Sequence, residues 1–227
     1  MSKNDKIKAS DLFDSIPEIV LPLFEGAEYP WEVLPKIKEY ILSLVNGNAS
    51  GYTNLKEGVL IGENVKISPF AVIEPPAIIG DGTELRPGAY LRGNVIIGKN
   101  CVVGNSTEIK NSILFDHVDA PHYNYIGDSI LGSGAHMGAG VICSNLKSDK
   151  SNVKIKGQST YETGLRKLGA ILGDKAEIGC GAVLNPGTVI GKHSSVYPLT
   201  SVRGIIPEDS IVKSSSNIVT RYEKTTG

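Results

Sequence analysis

The sequence has few cysteines and few aromatic residues. Its 227 residues include three cysteines, and aromatic residues make up 6% of the chain. An odd and small number of cysteines does not provide the disulfide framework of a small secreted domain, and it favours a reducing compartment. The opening residues MSKNDKIKASD are polar and lack the apolar segment of a secretory signal. We therefore expect a cytoplasmic protein.

Long apolar runs and an excess of charge of one sign are also missing. No run approaches the roughly 18 apolar residues of a membrane helix, so we expect no membrane partner. The formal net charge is −1, whereas nucleic-acid-binding domains are usually strongly basic. We therefore expect the partner to be a small molecule or another copy of the chain.

The sequence is rich in glycine, with 26 residues, and it carries a six-residue repeat. Every sixth position from Ile61 to Phe115 is apolar, and the residue two positions earlier is small or β-branched. The pattern resumes over 129–143 and over 170–202, which gives nineteen hexads. Residues i and i−2 share one face of a strand, and a period of six does not fit an α-helix. The repeat predicts an all-β fold, a parallel β-helix of about six coils with three hexads in each coil.

The repeat also predicts the organisation of the chain. We expect the β-helix to cover 52–213, with loops that leave the coil at 116–128 and 144–168, where the period is interrupted. Loops that leave a regular stack are the places where binding and catalytic residues are most easily accommodated.

Residues outside the repeat have a different character. Apolar residues at helical spacing predict an amphipathic helix over roughly 32–45, with Trp31 at its start. We expect 1–51 to form a small helical segment that caps the open first coil, as solenoids require. The remaining residues, 214–227, are expected to form a short tail.

Polar side chains are concentrated at the two interruptions. The first carries His117, His122, Tyr123, Asn124 and Tyr125, and the second carries Asn145, Lys147, Lys150, Lys154 and Lys156. Imidazole, amide, phenol and ammonium groups together can bind a phosphorylated polar substrate and deprotonate a nucleophile.

Four segments resemble a known family of enzymes: LRPGAYL (85–91), TEIKNS (107–112), APHYNYIGDS (120–129) and GAGVICSNL (138–146). They resemble the acetyltransferase domain of the bifunctional enzyme that makes UDP-N-acetylglucosamine from glucosamine-1-phosphate. They are closer still to the related sugar-1-phosphate nucleotidylyltransferase/acetyltransferases, and the resemblance covers about 52–213. It implies a left-handed β-helix, a homotrimer with sites between neighbouring subunits, and acetyl-CoA as co-substrate with no metal. The implied activity is N-acetylation of an amino-sugar phosphate of the glucosamine-1-phosphate or galactosamine-1-phosphate type, without the nucleotidylyltransferase domain.

The resemblance also implies roles for individual residues. His122 matches the catalytic histidine that takes a proton from the sugar amine. The positions that match substrate contacts are Arg86 and Lys110, which would hold the phosphate, together with Tyr125, His136, Asn145 and the loop lysines Lys150 and Lys154. Cys180 matches a position that contacts acetyl-CoA. His136 stands where the bifunctional enzyme has Asn, which predicts a different sugar pocket.

Two other classes of function fit parts of the sequence. A γ-class carbonic anhydrase has the same fold and holds zinc with three histidines, and His117 and His122 have a suggestive spacing. However, no histidine precedes His117, and zinc needs three or four close ligands. The other alternative is a non-catalytic β-helical scaffold, a remnant of a sugar-1-phosphate nucleotidylyltransferase.

Overall fold

The repeat folds into a parallel β-helix. The structure, a computed structural model, describes residues 5–47 and 49–220. Successive strands pass in turn to three sheets, here called faces A, B and C, which have nine, nine and seven strands. The first strand of face A and the last strand of face B, at opposite ends of the coil, each pair antiparallel with a neighbour. The other strands of the faces are parallel. The described residues therefore form seven complete coils and part of an eighth, slightly more than the six predicted.

The strands of the three faces are two to five residues long. Face A contains β1 (Thr53–Lys56), β2 (Val59–Ile61), β5 (Ala77–Ile79), β8 (Val95–Ile97), β11 (Ser112–Leu114), β14 (Ile130–Leu131), β19 (Ala170–Leu172), β22 (Thr188–Ile190) and β25 (Ile205–Ile206). Face B contains β3 (Lys66–Ile67), β6 (Glu84–Leu85), β9 (Val102–Asn105), β12 (Asp119–His122), β15 (His136–Met137), β20 (Glu177–Ile178), β23 (Ser195–Val196), β26 (Ser210–Ser214) and β27 (Asn217–Thr220). Face C contains β4 (Val72–Glu74), β7 (Tyr90–Arg92), β10 (Glu108–Lys110), β13 (Tyr125–Gly127), β16 (Ile142–Cys143), β21 (Val183–Leu184) and β24 (Ser201–Val202).

The apolar columns of the repeat form the interior of the coil, as predicted, with one exception. Leu114 rather than Phe115 lies in the interior, and Ser112 rather than Ile113 is its small partner. The reason is a shortened corner: Gly93 and Asn94 join face C to face A in one coil, but only Asn111 does so in the next. The hexad register therefore shifts by one residue, and Phe115 points out of the coil.

The two interruptions of the repeat differ in structure. Residues 116–128 do not leave the coil, because β12 and β13 lie within this range and pair in parallel with the coils on both sides. The prediction of a loop there was wrong, since one residue lost at a corner changes the period without breaking the stack. Residues 144–168 do leave the coil and include an antiparallel hairpin of β17 (Lys154–Lys156) and β18 (Thr160–Glu162).

The N-terminal segment lies along the outer side of face A. It contains α1 (Ala9–Leu12), α2 (Leu21–Phe24), a 3₁₀ helix (Pro30–Lys36) and α3 (Ile37–Gly47). Phe115 packs against Phe13 and Phe24 of this segment, with ring centroids 4.7 and 5.9 Å apart. The outward residues of face A join the same apolar cluster. The segment therefore covers the side of the coil rather than its open first turn.

Polar contacts secure the N-terminal segment to distant coils. Asp14 pairs with Lys192 at 2.7 Å, and its backbone amide donates to Asp174. At the other end of the chain, the predicted tail includes the last residue of β26 and all of β27, while 221–227 lie outside the described residues. No helix among the described residues is long and apolar enough to cross a membrane.

Candidate functional site

A buried carboxylate organises the corner between faces C and A. Asp128 follows β13 with a φ of +49°, and its side chain is 6% exposed. It accepts hydrogen bonds from Asn111 Nδ2 at 2.9 Å and from Lys110 Nζ at 3.3 Å. Asn145 Nδ2, from the first residues of the excursion, donates to Oδ2, the carboxylate oxygen that also accepts the bond from Lys110. A buried carboxylate with three donors fixes the positions of all of them.

Tyr125 extends this network onto face C. Asn145 Nδ2 also lies 3.2 Å from Tyr125 Oη. Burial raises the pKa of the Tyr125 phenol above its usual value, an effect that the hydrogen bond from Asn145 partly offsets. Gly127 lies beneath the pair, and a Cβ there would be 2.6 Å from both polar groups. Glycine at this position therefore permits the close approach of Tyr125 and Asn145.

His122 lies at the other edge of face C. It ends β12, and its imidazole is exposed and makes no hydrogen bond within the described residues. Its backbone amide donates to Oδ1 of the buried Asn124, whose Nδ2 donates to Gly138 O at 2.8 Å. The rigid coil thus fixes the backbone of His122 while the ring stays accessible. The three-residue strand from Tyr125 to Gly127, about 10 Å long, separates the edge with His122 from the corner with Asn145.

The two predicted phosphate-binding residues are not brought together. Lys110 belongs to the Asp128 network, but Arg86 lies at the corner between faces B and C, where its Nε is 3.2 Å from Glu84 Oε1. Arg92 lies instead on the strand adjacent to that of Lys110, one coil away on the same face. Our sequence reasoning missed Arg92, although its spacing of eighteen residues from Lys110, one full coil, was a usable signal.

The remaining candidates lie apart from the network. His136 is on face B, with Nδ1 3.0 Å from Glu177 Oε2. Lys150 is on the exposed excursion, and Lys154 on β17 pairs with Glu162 at 2.6 Å. Cys180 is exposed at the same corner as His122, two coils further along. Within one chain, the structure therefore groups Lys110, Tyr125 and Asn145 and leaves the other predicted residues outside this group.

The arrangement offers an accessible imidazole beside fixed hydrogen-bonding groups. An exposed imidazole can accept a proton near neutral pH. The amide and phenol can bind hydroxyl groups of a polar ligand, and the ammonium of Lys110 can bind an anion. Among the described residues there is no group of three or more His, Cys, Asp or Glu side chains that could hold a metal ion.

Comparisons with known proteins show which families the chain is similar to. A family model described as the GMPPB C-terminal domain matches residues 73–163. Bifunctional protein GlmU of Methanococcus maripaludis is 39% identical over 194 residues, which cover 84% of this chain and 47% of the relative. Over most of its own length, the chain is therefore similar to part of this bifunctional protein. The resemblance predicted from the motifs is therefore confirmed.

Other relatives extend this finding. Bifunctional protein GlmU of Methanocaldococcus jannaschii is 40% identical over 170 residues, covering 72% of this chain and 41% of the relative. The bifunctional sugar-1-phosphate nucleotidylyltransferase/acetyltransferase of Sulfurisphaera tokodaii is 36% identical over 98 residues, covering 42% and 24%. The chain thus spans about half the length, or less, of the curated relatives it matches.

Solved structures of acyltransferases also match. A mutant of AntD, an N-acyltransferase from Bacillus cereus in complex with dTDP and coenzyme A, matches with a TM-score of 0.46 and 17% identity, covering 78% of this chain and 92% of that one. The acetyltransferase domain of PglB from Neisseria gonorrhoeae in complex with acetyl coenzyme A matches with a TM-score of 0.32 and 17% identity, covering 77% and 63%.

Proposed function

We propose that the chain is an acetyl-CoA-dependent N-acetyltransferase that acts on an amino-sugar phosphate, of the glucosamine-1-phosphate or galactosamine-1-phosphate type. The observation that carries the proposal is the exposed imidazole of His122, held by a rigid coil at one edge of face C, while Tyr125 on this face contacts Asn145 at the opposite corner. The similarity to the bifunctional sugar-1-phosphate nucleotidylyltransferase/acetyltransferase of Sulfurisphaera tokodaii supports the reaction class. A homotrimer, with sites between subunits, belongs to the same proposal.

The chemistry follows from the groups present. The neutral amine of the sugar attacks the thioester carbonyl of acetyl-CoA, so that a C–N bond forms and the C–S bond breaks. His122 takes the proton that the amine loses, and the leaving thiolate of CoA takes up a proton. A positioned general base contributes about 10²- to 10⁴-fold to such a rate. The step needs neither a metal nor a cysteine nucleophile.

The geometry supports the binding roles that we propose for individual residues. Asn145 and Tyr125 offer an amide and a phenol to sugar hydroxyls, while Lys110 offers a positive charge to the sugar phosphate. Arg92 rather than Arg86 is the residue that lies beside Lys110 on face C. We therefore propose Arg92 as the second cation of the acceptor site.

The test is a thiol-release assay with acetyl-CoA and a panel of amino sugars and their phosphates. We expect CoA release with at least one amino-sugar phosphate and a loss of at least 100-fold in His122→Ala. His117→Asn is the matched control, because His117 is also exposed and lies in the same coil, but at the corner between faces A and B. Its φ of +60° favours Asn over Ala. Equal rates in wild type and His122→Ala would remove His122 from the mechanism.

A failed assay would favour one of the other classes. If no amino sugar in the panel gives CoA release, and acetyl-CoA does not raise the melting temperature, the scaffold becomes the better hypothesis, because a ligand bound only by the native state must stabilise it. Zinc in the purified protein at one ion per site would instead favour the carbonic anhydrase class.

A further inference from the structure

The hairpin of the excursion rests directly on the backbone of two later coils. Gly187 and Gly204 lie beneath it with φ values of +78° and +80°. A Cβ on Gly204 would be 2.6 Å from Lys156 O, and a Cβ on Gly187 would be 2.7 Å from a methyl group of Val153. Such close contact needs glycine at both corners. The hairpin is therefore a fixed part of the corner between faces C and A.

The two sides of β17 face different surroundings. Ile155 is fully buried in the apolar cluster that includes the N-terminal segment. Its neighbours Lys154 and Lys156 are exposed on the opposite side, as the alternation of a strand requires. Asp5 of the N-terminal segment also accepts hydrogen bonds from the backbone amides of residues in the hairpin turn. The fold thus directs the two lysines away from the apolar cluster.

These lysines line a cavity of about 190 Å³ together with Lys147, Pro186, Arg203 and Gly204. Lys147, Pro186 and Arg203 also line a second cavity of about 330 Å³, which reaches Ser144 and Leu146. The two cavities share three residues and form one groove along the corner. Leu146 follows Asn145 in the chain, so the groove begins next to the Asp128 network.

The groove carries more positive charge than its carboxylates balance. Lys154 pairs with Glu162 at 2.6 Å, and Lys147 pairs with Asp149 at 3.4 Å. In the described part of the chain, neither Lys156 nor Arg203 has a carboxylate oxygen within 4.0 Å. Exposed ion pairs are weak and are easily exchanged, so all four cations are available to an anion.

We propose that this basic groove, defined by Lys147, Lys154, Lys156 and Arg203, binds the phosphate groups of a phosphorylated ligand. Ammonium and guanidinium donors in one concave site are the groups that bind phosphate in proteins. The cavity beside the lysines is more than ten times larger than the space needed for a single water. The inference that the groove binds phosphate rests on the residues of the groove. Which molecule carries that phosphate rests on the proposed function. The source is either the nucleotide part of the acetyl donor or the phosphate of the acceptor.

Direct binding to the full-length chain tests the proposal without any need for turnover. The probes are CoA, pantetheine as its phosphate-free counterpart, and glucosamine-1-phosphate, each measured by titration calorimetry at two salt concentrations. In the double variant K156Q/R203Q we expect at least 10-fold weaker binding of CoA, of the sugar phosphate, or of both, with a smaller salt dependence. Binding of pantetheine is expected to be unchanged. Lys66→Gln, an exposed lysine at the opposite end of the coil, is the matched control.

A second variant distinguishes a binding role from a structural one. Glu162→Gln removes the carboxylate that competes for Lys154, and we expect it to tighten phosphate binding several-fold. A purely structural role for these charges predicts no gain. Weaker binding of CoA alone would assign the groove to the donor, and weaker binding of glucosamine-1-phosphate alone would assign it to the acceptor.

The outcomes separate the groove from the proposed function. If the wild-type chain binds neither probe, or if both variants bind both probes with wild-type affinity, the groove proposal is wrong. If phosphate binding is lost in K156Q/R203Q and gained in Glu162→Gln while no amino sugar is acetylated, the groove stands and the acetyltransferase proposal fails.

Discussion

The carboxylate of Asp128 allows a quantitative test of the network at the corner between faces C and A. We choose Asp128→Asn because Asn has the same shape and tolerates the left-handed φ of +49° at this position. The substitution removes the negative charge and replaces one acceptor oxygen with an NH₂ group. That group then faces either the Asn111 or the Asn145 amide, which are themselves donors.

The magnitude follows from the bonds that are lost. A hydrogen bond to a charged group contributes about 1.5–3 kcal/mol, and a buried donor left unsatisfied costs about 1–3 kcal/mol. The side chain of Lys110 is 24% exposed, so water replaces part of its lost interaction. We therefore expect a net destabilisation of about 2–3 kcal/mol. For a chain of this size it corresponds to a fall in Tm of about 4–12 °C.

The assay is thermal unfolding of the wild type, of three variants that form a cycle and of one control variant. Lys110→Met, made alone and combined with Asp128→Asn, completes a double-mutant cycle, and we expect a coupling of at least about 0.5 kcal/mol between the two residues. Asp149→Asn is the control, since Asp149 is an exposed carboxylate of the excursion, and we expect no change in its Tm beyond about 2 °C. Additive effects in the cycle, or an unchanged Tm for Asp128→Asn, would refute the view that Asp128 holds the network.

Two further predictions concern the packing of the coil. Phe115→Ala should destabilise the protein by about 3–5 kcal/mol, because the ring fills the space between the N-terminal segment and face A. The measurement is a denaturation curve, and the control is Phe70→Ala. The side chain of Phe70 is 74% exposed, so its removal should have little effect on stability. Burial raises the pKa of the thiols of Cys101 and Cys143 to about 12, so at pH 8 only about one in 10,000 of each is a thiolate. A thiol reagent should therefore titrate only Cys180 in the native protein and three thiols after denaturation; rapid reaction of a second thiol would contradict the buried positions.

The β-helix was predictable because a single physical requirement repeats nineteen times. Each hexad must place an apolar residue such as Ile79 or Leu91 inside the coil, and the period therefore identifies the fold without knowledge of any one contact. The path of the N-terminal segment was not predictable in this way. The sequence of an amphipathic helix indicates that the helix has an apolar face. It does not indicate which surface of the protein that face covers.

The sequence indicated single candidate residues for the site, but it did not indicate which of them lie together. His122, Tyr125 and Asn145 were proposed from motifs, since polar residues in a regular apolar repeat are easily recognised. Arg86 was chosen and Arg92 was missed because a motif was matched along the sequence, whereas neighbours in a β-helix are one coil apart. Asp128 was overlooked as an organising residue because its burial depends on a corner whose length the hexad period conceals.

The shortened corner at Asn111 explains both the wrong prediction of a loop at 116–128 and the hydrogen-bond network around Asp128. Ser112 pairs with Val95, seventeen residues earlier, whereas Glu108 pairs with Tyr90, eighteen residues earlier. The missing residue leaves Asn111 alone at its corner, and Asp128 occupies the equivalent position one coil later, both with positive φ. Their side chains are thereby stacked within hydrogen-bonding distance of each other, and Phe115 is turned out toward the N-terminal segment. A lengthened corner with two residues, like Gly93 and Asn94, would return the chain to the regular period and would separate the groups that now converge on one carboxylate.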